Sequence, residues 1–182
     1  MLIERKNFTK NKFILVGAKV AEKDSRGGVG TLSNALIDYS EEAGFEIEVI
    51  NTLKKPFCKI SFAQDIRNGL VRVFQLSSLL RLEKYSGVII FSGAGLGFYE
   101  RIILSVICRM ARVPCILFIV DGWFLSVRNK SFLKRWWIGL LLKAPHTLAA
   151  SGLNWVRLFR ELGVQESHLS KIHYWLPKSF PI

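Results

Sequence analysis

The sequence predicts a doubly wound α/β domain built on a mainly parallel, Rossmann-like sheet. Three observations predict it. Short unbroken apolar runs such as Val88-Ile89-Ile90-Phe91 and Cys115-Ile116-Leu117-Phe118-Ile119-Val120 are the mark of strands buried on both faces. Segments with helical periodicity separate these runs, as the crossovers of a parallel sheet require. The loops that follow the apolar runs are rich in glycine, serine or acid, and such sheets bind ligands at the carboxyl ends of their strands. At 182 residues, 50% of them hydrophobic, the chain suits one well-buried domain and is short for two.

The elements follow in order. Phe13-Ile14-Leu15-Val16 reads as a buried strand. After a glycine loop, Val29, Leu32, Leu36, Tyr39 and Ala43 fall at helical spacing and stop at Gly44, a typical C-terminal break. Residues 46–50 alternate Glu46 and Glu48 with Ile47 and Val49, which suits a strand near the sheet edge. Residues 51–63 contain Pro56, show no period and read as a loop. In residues 64–84, Ile66, Leu70, Val73, Phe74, Ser77 and Leu80 trace one face of an amphipathic helix. The run at Val88 is the next strand, then come a helix over about 96–112 and the strand at Cys115. A basic, aromatic helix near 131–143, a strand Thr147-Leu148-Ala149-Ala150, a helix over 152–162 and a strand Lys171-Ile172-His173-Tyr174 complete about six strands.

Charge and cysteine content narrow the setting. Twenty-six Lys and Arg against 14 Asp and Glu give a net charge of +12, and the last third is the most biased, with nine basic and two acidic residues in 122–182. Such a field favours anionic partners: phosphates, nucleic acid or an anionic membrane surface. No nucleic-acid-binding module is recognisable, so nucleic acid is not the expected partner. Cys58, Cys108 and Cys115 lack metal-ligand spacing and read as reduced, mostly buried thiols of a cytoplasmic protein. His146, His168 and His173 have no acid or cysteine at ligand spacing and read as surface or satisfied core residues, so neither a metal nor a bound cofactor is expected. No signal peptide and no apolar stretch of spanning length is visible.

The chemistry-bearing loop is Arg26-Gly27-Gly28-Val29-Gly30. Glycines before a helix let backbone N–H groups and the helix N-terminus meet an anion; the same glycines also serve a tight packing turn. The third glycine of a dinucleotide fingerprint is missing, no acid ends the second strand, and no Gly-Lys-Ser/Thr occurs.

The pieces in this order resemble a known family. The glycine loop with its helix, "EEAGFEIEVI" (Glu41 to Ile50), "GVIIFSG", "ARVPCILFIVDGW" (Ala111 to Trp123), "TLAASGLNWVRLFRELGV" (Thr147 to Val164) and "KIHYWLP" are similar to the N-terminal domain of GT-B glycosyltransferases of family 4. The resemblance implies sugar transfer from a nucleotide-diphosphate sugar, with an acceptor held on this side and the donor by a second domain. It implies a Rossmann-like domain over 1–176, with 177–182 as the start of an interdomain linker, and no catalysis until a donor-binding domain, elsewhere in the protein or on a separate chain, is supplied.

By position the resemblance makes Gly27, Gly28 and Gly30 the phosphate-facing loop, and Ser92, Gly93, Gly122, Trp123 and Glu100 acceptor-side residues. Glu100 and its neighbour Arg101 either reach acceptor hydroxyls or are the solvated start of a helix. Asp121 stands where the family often has histidine before glycine, and Tyr174-Trp175-Leu176-Pro177 where many relatives have Asn-Gly. Asp121 either serves as a base toward an acceptor hydroxyl or caps the following turn.

In "RNKSFLKRWWIGLLLK" (Arg128 to Lys143), Phe132, Leu133, Trp136, Trp137, Leu140 and Leu141 form a wide apolar stripe, while Ile138 and Leu142 share the side of Lys134 and Arg135. Lys130, Lys134, Arg135, Trp136 and Trp137 suit an anionic membrane interface, which would fit a lipid-linked acceptor and a peripheral place at the inner face of the cell membrane. The alternative is a core helix whose cations snorkel to water. Two function classes stand: an acceptor-side transferase domain, or a non-catalytic module using the same fold to hold a membrane, glycan or partner.

Overall fold

The computed structural model describes residues 11–19, 28–53, 61–93 and 95–172. Six strands, β1 (Lys12–Gly17), β2 (Glu46–Asn51), β3 (Gly87–Ser92), β4 (Cys115–Ile119), β5 (Thr147–Ala150) and β6 (Leu169–Lys171), form one sheet in the order β2-β1-β3-β4-β5-β6. Every neighbouring pair is parallel. Five α-helices make the crossovers: α1 (Gly28–Ala43), α2 (Phe62–Leu82), α3 (Leu96–Met110), α4 (Phe132–Leu141) and α5 (Leu153–Glu161). This is the doubly wound α/β architecture that the alternating runs predict.

The two faces of the sheet have separate cores. Alternate strand residues Leu15, Phe91, Phe118 and Ala149 pack with Leu32, Val29, Leu36 and Ile37 of α1. Their neighbours Val16, Ile90, Leu117, Ile119 and Ala150 pack with Leu76 of α2, Phe98 and Leu104 of α3, Ile138 of α4 and Phe159 of α5. One helix therefore covers one face and four cover the other. The period-2 alternation of a strand makes this division possible.

Local signals account for most element ends. Gly44 takes the left-handed conformation (φ 75°) after α1, as the sequence anticipates at that position. β2 lies at the sheet edge, in keeping with its alternating glutamates. The expected loop over 51–63 is shorter among the described residues: Asn51 still belongs to β2, and Ser61 caps α2 by accepting the Gln64 N–H (3.2 Å), so the helix begins at Phe62. Residues 122–129, between β4 and α4, form a 3-10 helix that periodicity did not reveal. Of the expected last strand, Lys171 closes β6, and Ile172 follows it with its N–H donating to the Ala150 carbonyl (2.9 Å); His173, Tyr174 and the expected boundary at 176 lie outside the described residues, as does Cys58. Cys108 and Cys115 are buried free thiols, as expected.

Two helices bury less of their apolar stripes than periodicity suggests. In α2 the stripe is divided: Val73 and Leu80 pack half-buried against the core beside the buried Leu76, while Ile66, Leu70 and Phe74 are exposed. In α4, the narrow side carrying Ile138, Gly139 and Leu142 is buried, and the wide aromatic stripe is exposed. The α4 reversal has a glycine at its centre. A Cβ on Gly139 would lie 2.1 Å from the carbonyl oxygen of Leu162, so the missing side chain lets the helix backbone approach its neighbour, and that approach selects the buried side.

Gly139→Ala is accordingly expected to lower unfolding stability by ~2–3 kcal/mol, because backbone rather than a flexible side chain opposes the added methyl. Gly97→Ala, where nothing lies within 4 Å, is expected to leave stability unchanged or slightly raised. Urea denaturation of both variants checks this, and equal midpoints would remove Gly139 from the packing account.

Candidate functional site

The strand order reverses between β1 and β3, since the chain passes from β1 outward to β2 and then returns across β1 to β3. Adjacent loops at the carboxyl ends of these two strands diverge, and an open α/β sheet has its ligand crevice there. The crevice is bounded by the end of β1, the N-terminus of α1, the β3–α3 turn and the β4 end.

Close packing shapes the β1 wall. A Cβ on Gly17 would stand 2.6 Å from Ser33 Oγ and 3.0 Å from the Phe91 ring, so glycine is what allows α1 to sit this low over β1. Ser33 is wholly buried, and among the described residues its hydroxyl has no hydrogen-bond partner. Gly28 and Gly30 occupy the first turn of α1, the former exposed and the latter buried; Gly27 lies outside the described residues. No acidic residue occupies that turn.

Asn51 contributes a support that sequence reading missed. Its Oδ1 accepts from the Lys19 and Leu53 N–H groups (3.2 and 2.9 Å), and its Nδ2 donates to the Lys19 carbonyl (3.4 Å). The Thr52 N–H also donates to the Gly17 carbonyl (2.9 Å). Together these bonds fix where the chain leaves β1 toward the glycine loop. An Asn at a strand end carried the only signal, its preference for bonding nearby backbone.

Across the crevice, Asp121 ends the β4 segment and begins the 3-10 helix. Its Oδ1 accepts the Trp123 N–H (2.8 Å), so the capping role anticipated as one alternative is present. Its Oδ2 lies 3.9 Å from where a Cβ on Gly93 would be, which sets the carboxylate beside the β3–α3 turn. Gly122 and Trp123 are exposed next to it. The 3-10 helix is anchored by Phe124, whose ring meets Phe98, Trp155 and Phe159 at centroid distances of 5.3, 6.2 and 6.2 Å. Ser92, in contrast, is fully buried and its hydroxyl donates to the Gly93 carbonyl (3.2 Å). The structure thus brings Gly93, Asp121, Gly122 and Trp123 together and leaves Ser92 beneath them.

Glu100 is held, not solvated. Arg72 of α2 grips it with two bonds (2.6 and 2.8 Å), and Arg101 adds a third (2.5 Å) while donating through Nε to the Phe91 carbonyl (3.2 Å). The Glu100 side chain is 15% exposed. Burial works to raise its pKa, but the Arg72 hydrogen bonds and the Arg101 charge outweigh burial and hold the carboxyl below its usual range. The triad ties α2 and α3 to the end of β3, just before Gly93. It also floors a cavity of about 230 Å³ between α2 and α3, walled by Ile66, Leu70, Leu96 and Ile103, with Asp65 at its α2 end.

Among the described residues, no group of three or more His, Cys, Asp or Glu is placed to hold a metal ion. His146 departs from the expected satisfied state: among the described residues its buried Nδ1 has no partner, and burial and the Arg109 charge hold the imidazole below its usual value. It precedes β5, at the end of the sheet away from the crevice.

No family model matches the sequence, and no curated protein matches it. The solved structures to which the chain is similar include the following two. HepE from Anabaena, solved in complex with UDP and glucose, is 14% identical, with 90% of this chain and 44% of HepE covered at a TM-score of 0.48. A conserved protein from Enterococcus faecalis is 8% identical, with 90% of this chain and 91% of that one covered at a TM-score of 0.36. The chain therefore spans less than half the length of HepE.

The Glu100 triad yields a pH prediction. A carboxyl whose folded pKa lies below its unfolded value adds stability above the unfolded value, 4.5, and loses it as the pH falls through the folded one. Glu100→Gln is expected to flatten this acid limb, and Glu100→Ala to cost about 3 kcal/mol at neutral pH by leaving two guanidiniums unpaired. Unfolding followed from pH 7 downward tests both; an acid limb unchanged in Glu100→Gln would show that other carboxylates carry it.

Proposed function

We propose that the chain is the acceptor-side domain of a glycosyltransferase, holding a glycan or lipid-linked acceptor while a donor-binding domain presents a nucleotide-diphosphate sugar. The observation that carries this reading is the Asp121 carboxylate at the end of β4, 3.9 Å from the Cβ position of Gly93. It stands at the switch-point crevice, which the first turn of α1 also borders. The sequence resemblance to the GT-B N-terminal domain adds the reaction class.

The parts then divide the work. An acceptor hydroxyl over Gly93 and Gly122 gives its proton to Asp121 as its oxygen bonds to the anomeric carbon. The bond from that carbon to the donor diphosphate breaks, and the departing negative charge faces the N–H groups of Gly28 and Gly30 at the positive end of α1. Trp123, exposed beside the carboxylate, offers an apolar platform for a sugar ring. Catalysis requires the donor domain, since this crevice supplies one wall only.

A second reading has its own observation. Capping of the Trp123 N–H is sufficient reason for an aspartate at 121, and a non-catalytic module that holds a glycan or a partner needs nothing more there.

Asp121→Asn separates the two readings, because asparagine keeps the cap and loses the base. In protein tagged and purified from its own source, so that any donor-binding component comes with it, transfer from nucleotide sugars is expected to fall by ~10²-fold or more, with the melting temperature nearly unchanged. An unchanged transfer rate would assign Asp121 to the cap, and a wild-type preparation inactive with every nucleotide sugar offered would leave the non-catalytic reading.

A further inference from the structure

The outward face of α4 is the least expected surface of the molecule. Phe132 is 85% exposed, Leu133 70%, Trp136 56%, Trp137 46% and Leu140 45%, side by side on one helix. Packing does not require them, because Ile138, Gly139 and Leu142 already seat the helix on the core. The core-helix alternative for this stripe is thereby removed, and a helix that shows its aromatic side to solvent carries a surface suited to an apolar partner.

Charge identifies that partner. Residues 122–160 contain seven Lys and Arg and no Asp or Glu. Of these, Arg128 is matched by Glu161 of α5 (2.9 and 3.0 Å) and Arg160 by Glu166. Lys130, Lys134 and Lys143 are exposed, and none of the ion pairs among the described residues involves them. Arg135 lies half-buried at the border of the aromatic stripe. Tryptophan and phenylalanine at headgroup depth with lysines around them match a bilayer interface carrying negative lipid. No described helix is long and apolar enough to cross a membrane.

We infer that α4 is an interfacial docking helix for an anionic lipid surface, with Phe132, Leu133, Trp136 and Trp137 entering the interface and Lys130, Lys134 and Lys143 meeting the headgroups. The inference stands apart from the sugar-transfer reading, since it uses no residue of the crevice. It does relate the two places. The 3-10 helix from Gly122 to Asn129 begins at Asp121 and ends beside Lys130, a span of roughly 16 Å at the usual rise, so a docked molecule holds its crevice close to the headgroup layer.

The test uses the full chain and vesicles of phosphatidylcholine with or without phosphatidylglycerol. The wild type is expected to sediment with the anionic vesicles, to release in high salt, and to bind neutral vesicles weakly. Brominated lipid is expected to quench its tryptophan emission. Lys130→Gln/Lys134→Gln/Lys143→Gln is expected to weaken partition on the order of 10²-fold, and Trp136→Ala/Trp137→Ala to abolish the quenching. These side chains are exposed, so far-UV circular dichroism and the melting temperature stay at the wild-type values. Phe62→Ser/Phe74→Ser on the exposed stripe of α2 is expected to bind normally. Failure of the wild type to bind anionic vesicles, undiminished binding by either α4 variant, or loss of binding only in the α2 variant would each overturn the assignment.

Discussion

A parallel sheet cannot be closed by short turns, so every strand of this molecule after β1 is reached by a crossover that must lie on one of its two faces. That constraint shapes most of the molecule. Among the described residues, α1 alone covers one face of the sheet and the other helices lie on the opposite face. The order β2-β1-β3-β4-β5-β6 splits the loops at the ends of β1 and β3 and so opens a crevice. Four helices share one face, and at Gly139 the α4 backbone comes close to the Leu162 carbonyl. Each helix then buries only a narrow strip, and apolar side chains beyond that strip face outward.

The crevice is positioned by contacts that lie outside it. Phe124, wholly buried among Phe98, Trp155 and Phe159, fixes the 3-10 helix and therefore the direction in which Asp121 points. Arg101 holds the end of β3 through the Phe91 carbonyl, and Glu100 and Arg72 hold Arg101. Asn51 holds the chain as it leaves β1. Rigid supports of this kind keep functional groups in register while the groups themselves stay accessible.

One segment carries both the crevice wall and the α4 surface. Residues 121–143 run from the carboxylate at the end of β4 through the anchored 3-10 helix to the exposed aromatic helix, without an acid after Asp121. In the two readings proposed above, that basic bias would serve a phosphate-bearing donor near α1 and negative headgroups near α4.

Fold class and element order were legible in the sequence, because strand and helix periodicities and Gly44 are local properties read from neighbouring residues. The edge position of β2 was legible for the same reason, in its alternating glutamates. Which side of α4 is buried, and how little of the α2 stripe, was not, because periodicity measures how apolar a side is and not how near a neighbour can come; only the mid-helix Gly139 hinted at it in α4. The Glu100 triad joins residues 28 positions apart, and Phe124 is oriented by rings from two other helices, so neither leaves a trace in any local window. Residue chemistry by itself determined the elements, the glycine-bearing start of α1 and the excess of positive charge. Tertiary packing decided which of those groups meet and which face the solvent, because close approach of backbones is a property of the whole arrangement.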